Sequence, residues 1–366
     1  MDLYDQLKTL TETPGPSGWE AGIAATIRDL WQPLVDTITL DRIGSLVAVK
    51  RGLGTDGTRR RVLVAAHMDE IGLMVTQIAR YPDDDSGHGF LRVTNVGGVD
   101  IRHLLGQMVV VHGRQNLTGV IGALPNHMLP ESKHNVPYGY DDLVVDVGLP
   151  AGELRQMVAV GDFVSFRQPL RRLQNGQVTG KSLDNRASVA AVTVALSYLQ
   201  TRQHTWDVVA VATAQEETAL LGAYTSGHAQ QPELAVALDV TFGKSPASKD
   251  NGETYDLGGG PTLGLGPNLH PGVYARLQAA AKALEMKVTP EPHARASGTD
   301  AYALQVARSG LPTGLIGIPL RYMHTMVETA DLADIERAGR LLGEFIARLD
   351  EQTMDEIAAK LMAKDE

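Results

Sequence analysis

Five short segments carry side chains able to hold cations or move protons: His67-Met68-Asp69, Ser182-Leu183-Asp184, Gln215-Glu216-Glu217, Asp239 and His324. Gathered in one place, their carboxylates would repel one another, and divalent ions are the simplest remedy. Two such ions offset the charges of Asp184, Glu217, Asp239 and one shared hydroxide, whereas a single ion leaves carboxylate in excess. Asp184 is the candidate to bridge ions roughly 3.5 to 4 Å apart. Adjacent side chains on extended backbone point to opposite sides, so Glu216 and Glu217 should not both grip the same ion pair. One is left free beside an activated water, as a hydrolase's general base requires.

Singly, each segment has an ordinary reading. A lone histidine is most often a surface or hydrogen-bonded residue, an aspartate before a helix an N-cap, and a Glu-Glu pair after a strand a solvated turn. What joins them is position. Val62 to Ala66, Val208 to Ala212, Leu234 to Leu238 and Leu315 to Ile318 are apolar on both faces, the pattern of strands inside a parallel sheet covered by helices. The candidate residues follow these runs, and ligands of open α/β sheets bind at the carboxyl ends of the strands. Lys181 to Arg186 opens a small, apolar helix over Ala187 to Leu196.

Further helices are predicted from Thr299 to Ser309, stopped by Gly310 and Pro312, and after Asp331 and Asp334, where Leu332, Ile335, Leu342, Phe345, Ile346 and Leu349 recur at helical spacing. Residues 72 to 165 read differently. Short apolar bursts such as Leu73-Met74-Val75 and Met108 to Val111, punctuated by Gly87-His88-Gly89 and Gly97-Gly98, suggest a small antiparallel β-barrel or sandwich. The expected architecture is therefore α/β: a mostly parallel sheet flanked by helices, formed by residues 1–71 and 166–366 and interrupted by a β-rich module at 72–165.

Composition narrows the function. The chain has 366 residues, enough for more than one packed unit, and a formal charge of −10 with no basic run, which disfavours nucleic-acid and anionic-membrane partners. Cysteine is absent, which excludes thiolate ligands and nucleophiles and suits a reducing compartment. The acidic start, Met1-Asp2-Leu3-Tyr4-Asp5, lacks the features of a secretory signal, and no apolar run approaches the ~18 residues that span a bilayer, so a cytoplasmic location is expected. Competing motifs fail: Gly176 to Ser182 is one residue short of a phosphate loop, Gly15 to Trp19 lacks the last glycine of a nucleophile elbow, and the glycines from Gly258 to Gly266 complete no dinucleotide fingerprint. His127, His270 and His293 read as structural.

Pro14-Gly15-Pro16-Ser17-Gly18, Ala65 to Gly72, Leu183-Asp184-Asn185-Arg186, Gln215-Glu216-Glu217, Leu238-Asp239-Val240 and Arg321 to Thr325 occur in an order that resembles the glutamyl and tetrahedral (TET) aminopeptidases, a family of dinuclear metallopeptidases. The similarity runs from about Leu7 to Leu349. It departs at Ser188 and Ser297, where glycine is common in relatives; neither is a proposed ligand. The resemblance implies removal of N-terminal residues from short peptides with two divalent ions, zinc, cobalt or manganese. His67 and Asp239 would hold one ion and Glu217 and His324 the other, with Asp184 bridging, Glu216 as base, and Asp69 clamping the His67 imidazole. It further implies that 72–165 is a dimerisation domain and that dimers assemble into a tetrahedral dodecamer. Alternatives are a dinuclear deacylase or carboxypeptidase with the same centre, and a metal-independent, endoglucanase-like glycosidase using two carboxylates.

Overall fold

The computed structural model describes residues 2–54, 59–81, 87–134, 136–246, 248 and 253–362. Three strands, β1 (Thr37–Leu40), β2 (Leu46–Lys50) and β3 (Arg61–His67), precede β4 (Gly72–Tyr81), β5 (His88–Val96), β6 (Met108–His112), β7 (Asn116–Gly122), β8 (Val144–Pro150) and β9 (Phe163–Phe166). After them come β10 (Arg171–Arg172), β11 (Gln177–Gly180), β12 (Asp207–Thr213), β13 (Leu234–Phe242), β14 (Thr262–Leu265), β15 (Thr289–Pro292), β16 (Thr313–Arg321) and β17 (Glu328–Asp331). Strands β4 to β9 close into a barrel in the order β4-β5-β8-β7-β6-β9. Barrel rather than sandwich is the outcome because β9 pairs with both β4 and β6 and leaves no open edge.

The remaining strands form one sheet ordered β1-β2-β12-β3-β13-β16-β17-β11-β10, with β14 and β15 joined at β16. Its heart is the parallel quartet β12-β3-β13-β16, which contains the four apolar runs. Shorter strands add antiparallel margins on both sides.

Alternation along the strands explains why both faces are apolar. Val62, Val64 and Ala66 of β3 pack into a core shared with the helices Leu183–Tyr198 and Leu332–Ala347. Leu63 and Ala65 face the opposite core, which contains Ala223, Ala301 and Leu304 from helices Leu221–Ala229 and Asp300–Gln305. The helices at Leu332 and Asp300 start on side-chain caps: Asp331 accepts the N–H of Ala333 at 2.9 Å, and Thr299 that of Ala301 at 3.3 Å. The helix predicted to reach Ser309 stops at Gln305 instead, because Leu311 N–H closes back on the Gln305 carbonyl and Arg308 turns left-handed. Among the described residues, no helix is long and apolar enough to cross a membrane.

The register sets the site. β3 pairs with β13 through Ala65 and Ala237, so His67 and Asp239, each two residues further on, emerge side by side on the same face. On the other flank of β3, Thr213 is the direct partner of His67. At the barrel junction, buried Glu70 accepts the N–H of Gly15 at 2.8 Å and the Lys181 ammonium at 2.5 Å, and also binds the Ser182 hydroxyl. The Gly15 segment and the approach to Asp184 are thereby tied to one carboxylate.

Candidate metal centre

Asp184 lies at the centre of the converging side chains. Its Oδ1 is 3.1 Å from His67 Nε2, and its Oδ2 is 3.3 Å from His324 Nε2. Asp239 Oδ1 lies 3.8 Å from the same His67 nitrogen, and Glu217 Oε2 lies 3.6 Å from that of His324. Two donor triplets result, His67–Asp184–Asp239 and Asp184–Glu217–His324, and within each the ligand atoms lie within 4.8 Å of one another. The first triplet is almost sealed, with His67, Asp184 and Asp239 at 2%, 6% and 5% exposure. All five candidate ligands thus meet, although they come from β3, the start of the helix at Leu183, the turn after β12, β13, and the loop after β16.

Glu216 and Glu217 are separated by a different geometry from the one expected. The backbone after β12 is not extended: Gln215 turns left-handed at φ +58°, and Glu216–Ala219 forms a single helical turn. Consecutive side chains diverge by about 100° on a helix, which sends Glu216 Oε2 to 3.8 Å from His67 Nε2 and Glu217 toward His324. Asp69 faces the other ring nitrogen of His67. His67 Nδ1 lies 3.2 Å from the Asp69 carbonyl oxygen and 3.5 Å from the carboxylate. That carboxylate accepts the N–H groups of Glu216 and Glu217, each at 3.1 Å.

The electrostatics mark a site for positive charge. Burial, reinforced by Asp239, Asp300 and Asp69 against the pull of His67, pushes the Glu216 carboxyl up to about 9. Burial and the Asp184 charge hold Glu217 well above the ordinary carboxylate range, and burial with Asp184 and Asp300 does the same to Asp239. A hydrogen bond to Asp184 lifts His324 to about 9. Asp184 itself is drawn down: burial opposes its ionisation, but hydrogen bonds from His324 and His67 prevail. Without a cation, therefore, the cluster gathers protons. One buried oxygen, Glu217 Oε1, has no hydrogen-bond partner at all. Imidazole and carboxylate donors of this kind fit a divalent transition metal, and the fit is to two ions because Asp184 offers one oxygen to each triplet.

Several participants were not legible beforehand. Gly97-Gly98, which reads as punctuation in the barrel, packs directly on the centre: a Cβ on Gly98 would lie 2.5 Å from His324 Nδ1. Asp300 is buried with Oδ2 accepting the Thr213 hydroxyl at 2.5 Å and Oδ1 unpartnered, and burial pushes its carboxyl up to about 6; in sequence it reads only as a helix start. Glu328, four residues after His324, is buried behind the centre with no pattern to announce it. His270 is structural as expected, capping the helix Pro271–Ala283 by accepting the Gly272 N–H. His293 instead lines a cavity of about 890 Å³ that opens from the cluster, together with Thr241, Tyr255, Glu291 and Arg295.

Known proteins resemble this chain along most of its length. The family model described as M42 glutamyl aminopeptidase matches residues 44–341. A lysyl aminopeptidase of Pyrococcus furiosus is 34% identical over 352 residues, covering 94% of this chain and 97% of its own. Among solved structures, a TET aminopeptidase of the marine-sediment archaeon Thaumarchaeota archaeon SCGC AB-539-E09 is 30% identical, covers 97% of this chain and 98% of its own, and superposes with a TM-score of 0.89. The TET1 peptidase of Pyrococcus horikoshii, described as assembling into a tetrahedron or a large octahedral shell, is also 30% identical, with a TM-score of 0.81 over 95% of this chain and all of its own.

Two outcomes are expected. In metal-free protein, the raised groups hold protons in the folded state that they lose on unfolding, so their stabilising contribution fades as pH rises toward 9. Calorimetry should find the melting temperature of chelator-treated protein falling by a few degrees or more between pH 6 and pH 9, while the ion-loaded protein changes less. Gly98→Ala should displace the His324 ring and weaken cation binding at the Asp184–Glu217–His324 triplet by at least about tenfold, the scale of ligand-orienting mutations, as measured by cobalt(II) titration.

Proposed function

The chain belongs to the M42 glutamyl aminopeptidase family and is an aminopeptidase, a peptide hydrolase; from that premise we propose that it trims N-terminal residues from short peptides at a two-ion centre. His67 and Asp239 would hold one ion, Glu217 and His324 the other, and Asp184 both. The reading rests on one observation, the two oxygens of Asp184 facing two imidazoles at 3.1 and 3.3 Å. Zinc, cobalt and manganese suit such donors. When bound, the ions would polarise the scissile carbonyl and acidify a water, an effect that can bring its pKa down to about 7.

Glu216 is the proposed base. It belongs to neither donor triplet, and its carboxylate stands beside the first of them. Burial gives it a high proton affinity, which the His67 charge lowers in part. Its Oε2 accepts a proton from the attacking water and passes it to the departing amine nitrogen. Asp69 holds this carboxylate in place through the backbone N–H groups of Glu216 and Glu217. The cavity beside the centre receives the N-terminal side chain. A glycosidase working with two carboxylates would leave both imidazoles without a task.

The barrel, residues 72–165, is proposed as the dimerisation domain. Met108 and Val120 are cross-strand partners that leave apolar side chains exposed on its wall, and Leu124 and Met128 are exposed beyond them. With the tetrahedral assembly of the Pyrococcus horikoshii relative as guide, dimers would build a dodecamer enclosing the active sites. A cytoplasmic location completes the proposal.

Glu216→Gln should keep both ions yet lose at least about 100-fold in turnover, whereas Asp184→Asn should lose metal as well. Metal analysis and hydrolysis of aminoacyl anilides measure the two effects, and N-acetylation of the substrate should abolish cleavage. A near-normal rate in Glu216→Gln would contradict the base assignment.

A further inference from the structure

Glu328 opens β17 between the two irregular chain segments that deliver Asp184 and His324. On one side β17 pairs with β16, whose chain leaves at Arg321 toward His324. On the other it pairs with β11, where Gly180 is the partner of Glu328 and the chain leaves toward Asp184. Both departing segments hold non-glycine residues in the left-handed region: Ser182 at φ +60°, Tyr322 at +59° and His324 at +61°. Such conformations are disfavoured and persist only where surrounding contacts fix them. Glu328 provides one such contact to each segment. Its Oε2 accepts the Asp184 N–H and its Oε1 the His324 N–H, both at 3.0 Å, from a side chain that is 1% exposed. Each oxygen takes one N–H, so one buried side chain braces two backbone positions.

The other half of the centre is built differently. His67 and Asp239 stand on β3 and β13, and their spacing follows from strand register. We infer that Glu328 is a positioning residue that sets the separation of Asp184 and His324; two of the three ligands on the Glu217 side hang on it, against Asp184 alone on the His67 side, where the sheet fixes His67 and Asp239, so the Glu217-side cation position depends on it more strongly. This inference rests on the two-ion reading above.

Metal-free wild type and Glu328→Gln are titrated with cobalt(II), followed by calorimetry and visible absorbance. The amide of Gln places an N–H against one of the two backbone donors and breaks the brace. Wild type should bind two ions. Glu328→Gln should bind the first with affinity within about threefold of wild type and the second about 10- to 100-fold more weakly. Equal affinities in variant and wild type, or an equal weakening of both ions, would overturn the inference, since a general structural role moves both together. If Glu328→Gln does not fold, Glu328→Asp, whose shorter side chain cannot reach both donors, is judged by the same split. Wild type that binds fewer than two ions would instead contradict the two-ion function itself.

Discussion

One buried carboxylate placed between two imidazoles is the constraint on which the structure turns. Asp184 stands within hydrogen-bond reach of His67 and His324, with Asp239, Glu216 and Glu217 close around it. In a dry setting, that many acids cannot all ionise without compensation. Protons supply it in part: Glu216 and His324 hold theirs up to about 9. Two divalent ions would supply it more completely, and would release those protons at neutral pH, freeing Glu216 to act as a base.

Holding such a cluster together requires a second ring of acids behind it. Asp69 accepts two N–H groups from the Glu216–Glu217 turn, Glu20 accepts those of Gly18 and Gln215, Glu328 those of Asp184 and His324, and Glu70 gathers Gly15, Lys181 and Ser182. Each accepts N–H groups at helix starts or in loops, where the backbone lacks its own partners. The barrel takes part as well, since Gly98 allows it to approach the His324 ring closely. An inserted module at this position therefore shapes the centre in addition to any role in assembly.

The parallel quartet was legible because fully buried strands are continuous apolar runs, and the residues at their carboxyl ends were then the natural candidates. His67 and Asp239 follow from register alone. The marginal strands were less visible: β10, β11, β14, β15 and β17 are two to four residues long, too short for alternation to stand out. Glu216 and Glu217 diverge through a helical turn and not through extended backbone, because a left-handed Gln215 and one helical turn are tertiary outcomes that no local pattern specifies. Glu328 and Gly98 were invisible for a related reason. Their significance lies in what another segment brings within reach, and a single sequence carries no mark of that.

The most direct test is anomalous diffraction from crystals grown with zinc or cobalt. Two peaks separated by roughly 3.5 to 4 Å, one beside His67 and Asp239, the other beside Glu217 and His324, with an Asp184 oxygen on each, are the predicted result. A single peak, or two peaks with Asp184 bound to neither or only one, would contradict the shared-carboxylate centre.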